Sequence, residues 1–141
     1  MELDNAASQI SKCKELINQY IITALEEHGV VGIVTSHGEI ILSLMRRDCL
    51  TMSELAALIR KDPSTVTTLV KKLHTFGYVT LTKCDNDKRS VRVSLTDKGK
   101  ALESAFMQIS NDLRMQMYKG VNADDKQVFK QVLHEIMQNL S

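Results

Sequence analysis

The chain has 141 residues, of which 43% are hydrophobic and 25% charged, with one Pro, six Gly and three Cys. That length suits one domain or one compact subunit, able to bury a core without a disulfide or metal staple. The composition excludes a largely disordered chain and a turn-rich all-β fold. The net charge is only +1, yet it is unevenly spread. Residues 60–100 hold ten Lys or Arg against four Asp, whereas the rest of the chain holds eight basic and thirteen acidic residues. A basic block inside an acidic chain is the footprint of a nucleic-acid surface, or of a solvated charged face. No apolar run is long enough to predict a membrane span, and Met1-Glu2-Leu3-Asp4 lacks the basic and apolar regions of a secretory signal. An odd Cys count without a C-x-x-C pair predicts a reduced, cytoplasmic protein.

The first predicted helix runs from about Asn5 to Glu27. Ile10, Cys13, Ile17, Tyr20, Ile21 and Ala24 recur at helical spacing, and Leu16, Ile22 and Leu25 add a second apolar side. A helix apolar on two sides has two partners: its own core and, by expectation, a second subunit. Gly29 and Gly32 interrupt it. Ser36-His37-Gly38-Glu39 then reads as a capping box opening a short helix to about Arg47. Thr51-Met52-Ser53-Glu54 is a second such box, opening a helix with Leu55, Leu58 and Ile59. Asp62-Pro63 gives an N-cap followed by Pro at the first helical position. That helix continues to about Phe76 and stops at Gly77.

Two helices joined by about three residues have helix-turn-helix spacing. In the second, Val66, Leu69, Val70 and Leu73 form the buried stripe. The opposite face carries Ser64, Thr65, Thr67, Thr68, Lys71 and Lys72 and no acid. Hydroxyls fit close to base edges and phosphates, and Lys neutralises phosphate. A face turned merely to water would more often mix Glu with Lys. Tyr78–Cys84 and Ser90–Leu95 alternate with period two and predict a β-hairpin, with Asp85-Asn86-Asp87-Lys88-Arg89 as its charged turn. A hairpin after such a helix makes a winged helix, whose tip suits the minor groove, where Arg is favoured. Asp87 is placed to hold the Arg89 guanidinium. The alternative is an ordinary solvated turn. Thr96-Asp97-Lys98-Gly99 opens a long helix to about Lys119, with Leu102, Phe106, Ile109, Leu113 and Met117 on its stripe and Met107 and Met115 off it. Asn122 caps a last helix, carrying Val128, Phe129, Val132, Leu133, Ile136 and Leu140. These terminal helices are too apolar for one small domain to cover, so the same surface of a twofold-related copy is their expected partner.

The order of motifs resembles the MarR family of bacterial transcriptional regulators. The resemblance runs from Leu50-Thr51-Met52-Ser53-Glu54-Leu55-Ala56 to Leu95-Thr96-Asp97-Lys98-Gly99. Asp62 to Leu73 is similar to the family's recognition helix, Asp87-Lys88-Arg89-Ser90 to its D-x-R wing tip, and Val93-Ser94-Leu95-Thr96 to its return strand. The fold implied is mainly α with a small β-hairpin. Residues 36–99 would form the winged helix-turn-helix lobe and residues 1–30 and 100–141 the dimerisation helices of one subunit spanning 1–141. The function implied is a homodimeric, sequence-specific repressor of a pseudo-palindromic double-stranded DNA operator, with half-sites about 10 bp apart and release by a small-molecule effector. DNA contacts would come from Ser53, Pro63, Ser64, Thr65, Thr67, Thr68, Lys71, Lys72, Asp87, Lys88 and Arg89, with Ser53 on phosphate at a helix N-terminus.

The family's effector cleft lies between the dimer lobe and the winged helix. Here the first helix, the Ser36 helix and the start of the Thr96 helix would wall it, with Cys13, Tyr20 and His37 as candidates and a phenolic ligand by analogy. Relatives that sense peroxide carry a reactive Cys on the first helix. Cys13 has Lys12 and Lys14 beside it, which would favour the thiolate, but its place on the apolar stripe predicts a buried structural thiol. His28 and His37, with Glu27 and Glu39, are too thin a set to predict a metal. His134 reads as an interface or solvated residue, and His74 as lying near the DNA face without a chemical role. No cofactor is expected. Two other readings stay open: a redox switch at Cys13, and a winged helix that binds protein rather than specific DNA. An enzyme is not expected, since no G-x-S-x-G, H-E-x-x-H or phosphate-binding loop occurs.

Overall fold

A computed structural model describes residues 3–84 and 87–141, and the backbone alone at 84 and 87–90. The helices are α1 (Ala6–Glu27), α2 (Thr35–Arg46), α3 (Met52–Ile59), α4 (Pro63–Thr75), α5 (Asp97–Lys100), α6 (Glu103–Met117) and α7 (Ala123–Leu140). The strands are β1 (Leu50–Thr51), β2 (Val79–Cys84) and β3 (Asp87–Leu95). Two compact units result, Met1–Ile109 and Ser110–Ser141, with α6 crossing the boundary. Among the described residues no helix is long and apolar enough to cross a membrane.

In the first unit, α2 packs against α1, α3, α4 and β3, and α4 against β2. Ile40, Ile41, Leu50, Leu55, Val66, Val70, Leu73 and Val93 are fully buried where these elements meet. The stripe anticipated on α4 is therefore the side that faces the core. The three strands are antiparallel in the order β1-β3-β2. β1 was not anticipated. It is only two residues long and exists because Leu50 and Thr51 pair with Val93 and Arg92, some forty residues away.

Caps set most helix boundaries. Thr51 accepts from the Glu54 N–H at 3.1 Å while Glu54 Oε1 accepts from the Thr51 N–H at 3.3 Å, completing the anticipated box. Asn122 caps α7 through the Asp125 N–H at 2.8 Å. The Ser36 box does not form. Instead α2 starts at Thr35, and the buried His37 ring accepts the Val34 N–H on Nδ1 at 3.0 Å. An imidazole at the third helical position thus does the work assigned to a carboxylate.

The long helix expected from Thr96 is broken. Thr96 Oγ1 caps α5 through the Gly99 N–H at 3.1 Å, but the Leu102 N–H then bonds Gly99 O, a tighter i→i+3 step, before α6 begins. Asp87, Lys88 and Arg89 also fall within β3 rather than in the turn: Cys84 pairs with Asp87, while Lys83 pairs with Val91. Lys88, Arg89 and Ser90 are therefore surplus to the β2 ladder, as in an enlarged β-bulge. In the second unit, α7 buries no residue and exposes Val128, Phe129, Val132, Met137 and Leu140. Tyr118 meets the Phe129 ring edge-on at 6.5 Å.

Candidate nucleic-acid interface

The exposed face of α4 is built from its N-cap outward. Asp62 Oδ1 accepts the Thr65 N–H at 2.9 Å and the Ser64 hydroxyl at 3.2 Å, and Oδ2 accepts the Thr65 hydroxyl at 3.1 Å. The Thr65 bonds, side-chain first, hold the Asp62 carboxyl below the usual carboxylate range, with smaller help from Ser64 and Lys61. One turn on, the Thr67 hydroxyl donates to Pro63 O at 2.9 Å and the Thr68 hydroxyl to Ser64 O at 3.1 Å. All four hydroxyl protons are thus spent inside the helix. What the face presents outward is oxygen lone pairs and threonine methyls, groups whose chemistry suits accepting from amino groups and packing against a methyl group. Pro63, Ser64, Thr65, Thr68, Lys71 and Lys72 are exposed and Thr67 is half-buried. The Lys72 ammonium also lies 5.8 Å from the centre of the Phe76 ring.

The turn before α4 is tight because Arg60 adopts the left-handed conformation, with φ at 55°, where glycine is more usual. That places the exposed Arg60 and half-buried Lys61 between the two helices. Neither was singled out from the sequence, since their spacing carries no motif. Ser53 is exposed on the first turn of α3, where the Glu54 carboxylate occupies part of the helix end. The reading of Asp87, Lys88 and Arg89 as a wing tip falls on side chains outside the described residues. On the sheet, Arg92 Nη1 donates to Cys49 Sγ at 3.5 Å.

A cleft of about 300 Å³ opens between α2, β3 and the α5–α6 segment, lined by Leu44, Met45, Asp48, Ser94, Leu95, Lys100 and Glu103. Two of its three anticipated walls are present, but α1 contributes nothing. Cys13, Tyr20 and His37 are not among its lining residues. Cys13 is exposed on α1, against the buried position expected of it. Burial and, secondarily, the charge of Lys72 hold the His37 pKa below the ordinary histidine value. Among the described residues no group of three or more His, Cys, Asp or Glu is placed to hold a metal ion.

A helix pair with a short turn, followed by a hairpin and closed by β1, defines a winged helix-turn-helix. Residues 35–91 match the family model described as MarR. The chain is 35% identical over 98 residues to the transcriptional regulator SarZ of Staphylococcus aureus, a match covering 69% of this chain and 63% of SarZ. It superposes on a MarR transcriptional regulator from Methanosarcina mazei with a TM-score of 0.82 and 25% identity, covering 95% of this chain and 94% of that one. A cysteine-to-serine mutant of E. coli MarR complexed with operator DNA gives 0.76 and 25%, covering 96% and 99%. The chain belongs to the MarR family.

Proposed function

We propose that this chain is a sequence-specific, double-stranded DNA-binding transcriptional regulator acting as a homodimer. It represses from a pseudo-palindromic operator and is released when a small molecule fills a cleft beside the winged helix. The observation that carries this reading is the acid-free outer face of α4, with Lys71 and Lys72 exposed beside lone-pair-rich Ser64, Thr65, Thr67 and Thr68. Its support from outside the chain is the likeness to a MarR structure that holds operator DNA. The α2–β3–α5 cleft pairs apolar Leu44, Met45 and Leu95 with the charged ends of Asp48, Lys100 and Glu103. That lining suits a small aromatic acid or phenol. An effector needs only a preference of roughly 1–3 kcal/mol for the released state to change operator affinity about 5- to 150-fold.

The test is a gel shift at fixed salt, comparing the duplex upstream of this coding sequence with an unrelated duplex of equal length. A preference of about a thousandfold is expected of a specific regulator. Arg89→Ala is expected to weaken the specific complex by about 1–3 kcal/mol without unfolding the protein. Equal, weak binding to both duplexes with no steep salt dependence would favour a winged helix that binds protein instead.

A second reading, release by oxidation, is favoured by the exposure of Cys13 on α1 between Lys12 and Lys14. It predicts that peroxide releases the DNA from the wild type and not from Cys13→Ser.

A further inference from the structure

The C-terminal end of α4 is gripped by a second segment of the chain. α4 stops in a Schellman turn: the Tyr78 N–H bonds Leu73 O and the Gly77 N–H bonds His74 O, both at 3.0 Å, with Gly77 at a φ of 82°. The residues of that turn, Phe76, Gly77 and Tyr78, each meet the segment that leaves the wing. Lys98 Nζ donates to Phe76 O at 2.7 Å and stands 4.8 Å above the centre of the Tyr78 ring. Its alkyl stem crosses Gly77, 3.8 Å from where a Cβ would stand. Thr96 Oγ1 donates to Gly77 O at 2.6 Å, and the Thr96 N–H to Tyr78 O at 3.0 Å. On its other side the Phe76 ring lies 3.2 Å from the Cβ position of Gly32, in the loop that follows α1.

Carbonyl groups at a helix C-terminus have no partner within the helix, and a cation there is favoured by the helix dipole. Most surface lysines satisfy such a need only transiently. This one makes three contacts from two points along its length, Cδ beside Gly77 and Nζ on Phe76 O and the Tyr78 ring, so its stem and its charge both lie against the end of α4. The opposite end is capped from within, by Asp62, so the tie to a second segment lies at the C-terminal end of α4. A helix held at one end by a second segment has less freedom to slide or tilt, and the groups along its face better keep their spacing to a surface they meet.

We propose that Lys98 is a positioning residue for DNA reading. It sets where Ser64 to Lys72 lie relative to the rest of the winged helix, and it does so without contacting DNA. The inference rests on the DNA-binding reading above, and its test separates the two.

Full-length wild type, Lys98→Met and Lys98→Arg would be compared on the specific and unrelated duplexes across a salt series, with thermal melts alongside. Methionine keeps the stem and loses the donor; arginine restores a donor. Lys98→Met is expected to lose about tenfold in specific affinity, roughly 1.4 kcal/mol. Binding to the unrelated duplex and the slope of affinity against salt should be unchanged, and Lys98→Arg should recover most of the loss. A slope reduced by about one would make Lys98 a phosphate contact and overturn the proposal. So would an equal loss on both duplexes that tracks the melting temperature, or no loss at all. Amide hydrogen exchange in the free protein reads the same grip without DNA. Lys98→Met should exchange faster at Gly77 and Tyr78, and unchanged rates there would overturn the proposal. Faster exchange in a protein whose wild type shows no duplex preference would leave the grip standing and remove DNA as the thing it serves.

Discussion

His37 is a buried base that serves as a helix cap only while neutral. Its Nδ1 must keep a lone pair to accept the Val34 N–H; a proton there would set two donors against each other. Burial and then Lys72 lower its pKa in the folded state, so the unfolded chain takes up the proton first as pH falls. The stability this contributes is complete above the ordinary histidine value and drains away between that value and the lower folded one. Melting temperature should therefore fall more steeply for the wild type than for His37→Gln, which cannot titrate, as pH drops below the ordinary histidine value of 6.5. Equal slopes would assign the acid sensitivity to other groups. The residue types on the α4 face were legible in the sequence, but their hydrogen bonding was not. Spacing alone does not reveal that Asp62 and two backbone carbonyls take the hydroxyl protons.

At the scale of elements, what could be read early was whatever is decided locally. Thr51, Asp62 and Asn122 cap helices as their neighbours dictate, and Gly77 ends α4, because each of those bonds spans a few residues. What escaped is decided at a distance. β1 needs Val93 and Arg92. The break after α5 lies where Gly99 abuts Tyr78, so closely that a Cβ on Gly99 would overlap the Tyr78 carbonyl oxygen. That approach predicts that Gly99→Ala destabilises the first unit by about 1–3 kcal/mol, as overpacking does. A shifted denaturation midpoint at constant slope would register it. A shift under about 0.5 kcal/mol, within the range of ordinary surface changes, would show that the contact yields easily. The same segment also joins two features: Ser94 and Leu95 precede it, Lys100 and Glu103 follow it, and all four line the cleft. A ligand seated there would bear on the residues that grip α4.

For the whole molecule, the unfinished business is apolar. Val128, Phe129, Val132, Met137 and Leu140 are exposed on α7, and Ile10 and Leu16 on α1. Apolar side chains left exposed along a helix in this way mark an association site. Val132→Glu is expected to halve the mass measured by sedimentation at micromolar concentration while leaving helicity intact, and to abolish specific DNA binding with it. A wild type that is already monomeric would remove the homodimer from the proposed function. The existence of these terminal helices was plain from their periodicity; their partner could not be, because a sequence records which faces are apolar and not what covers them.

The surplus of Lys88, Arg89 and Ser90 over the β2 ladder bears on how such a hairpin can change. Val79–Lys83 pair with Val91–Leu95 in unbroken register and the irregularity lies beyond Lys83, so a residue gained or lost at the outer end is expected to leave that register in place. Reach and chemistry at the tip are in that sense separable from the frame that carries them.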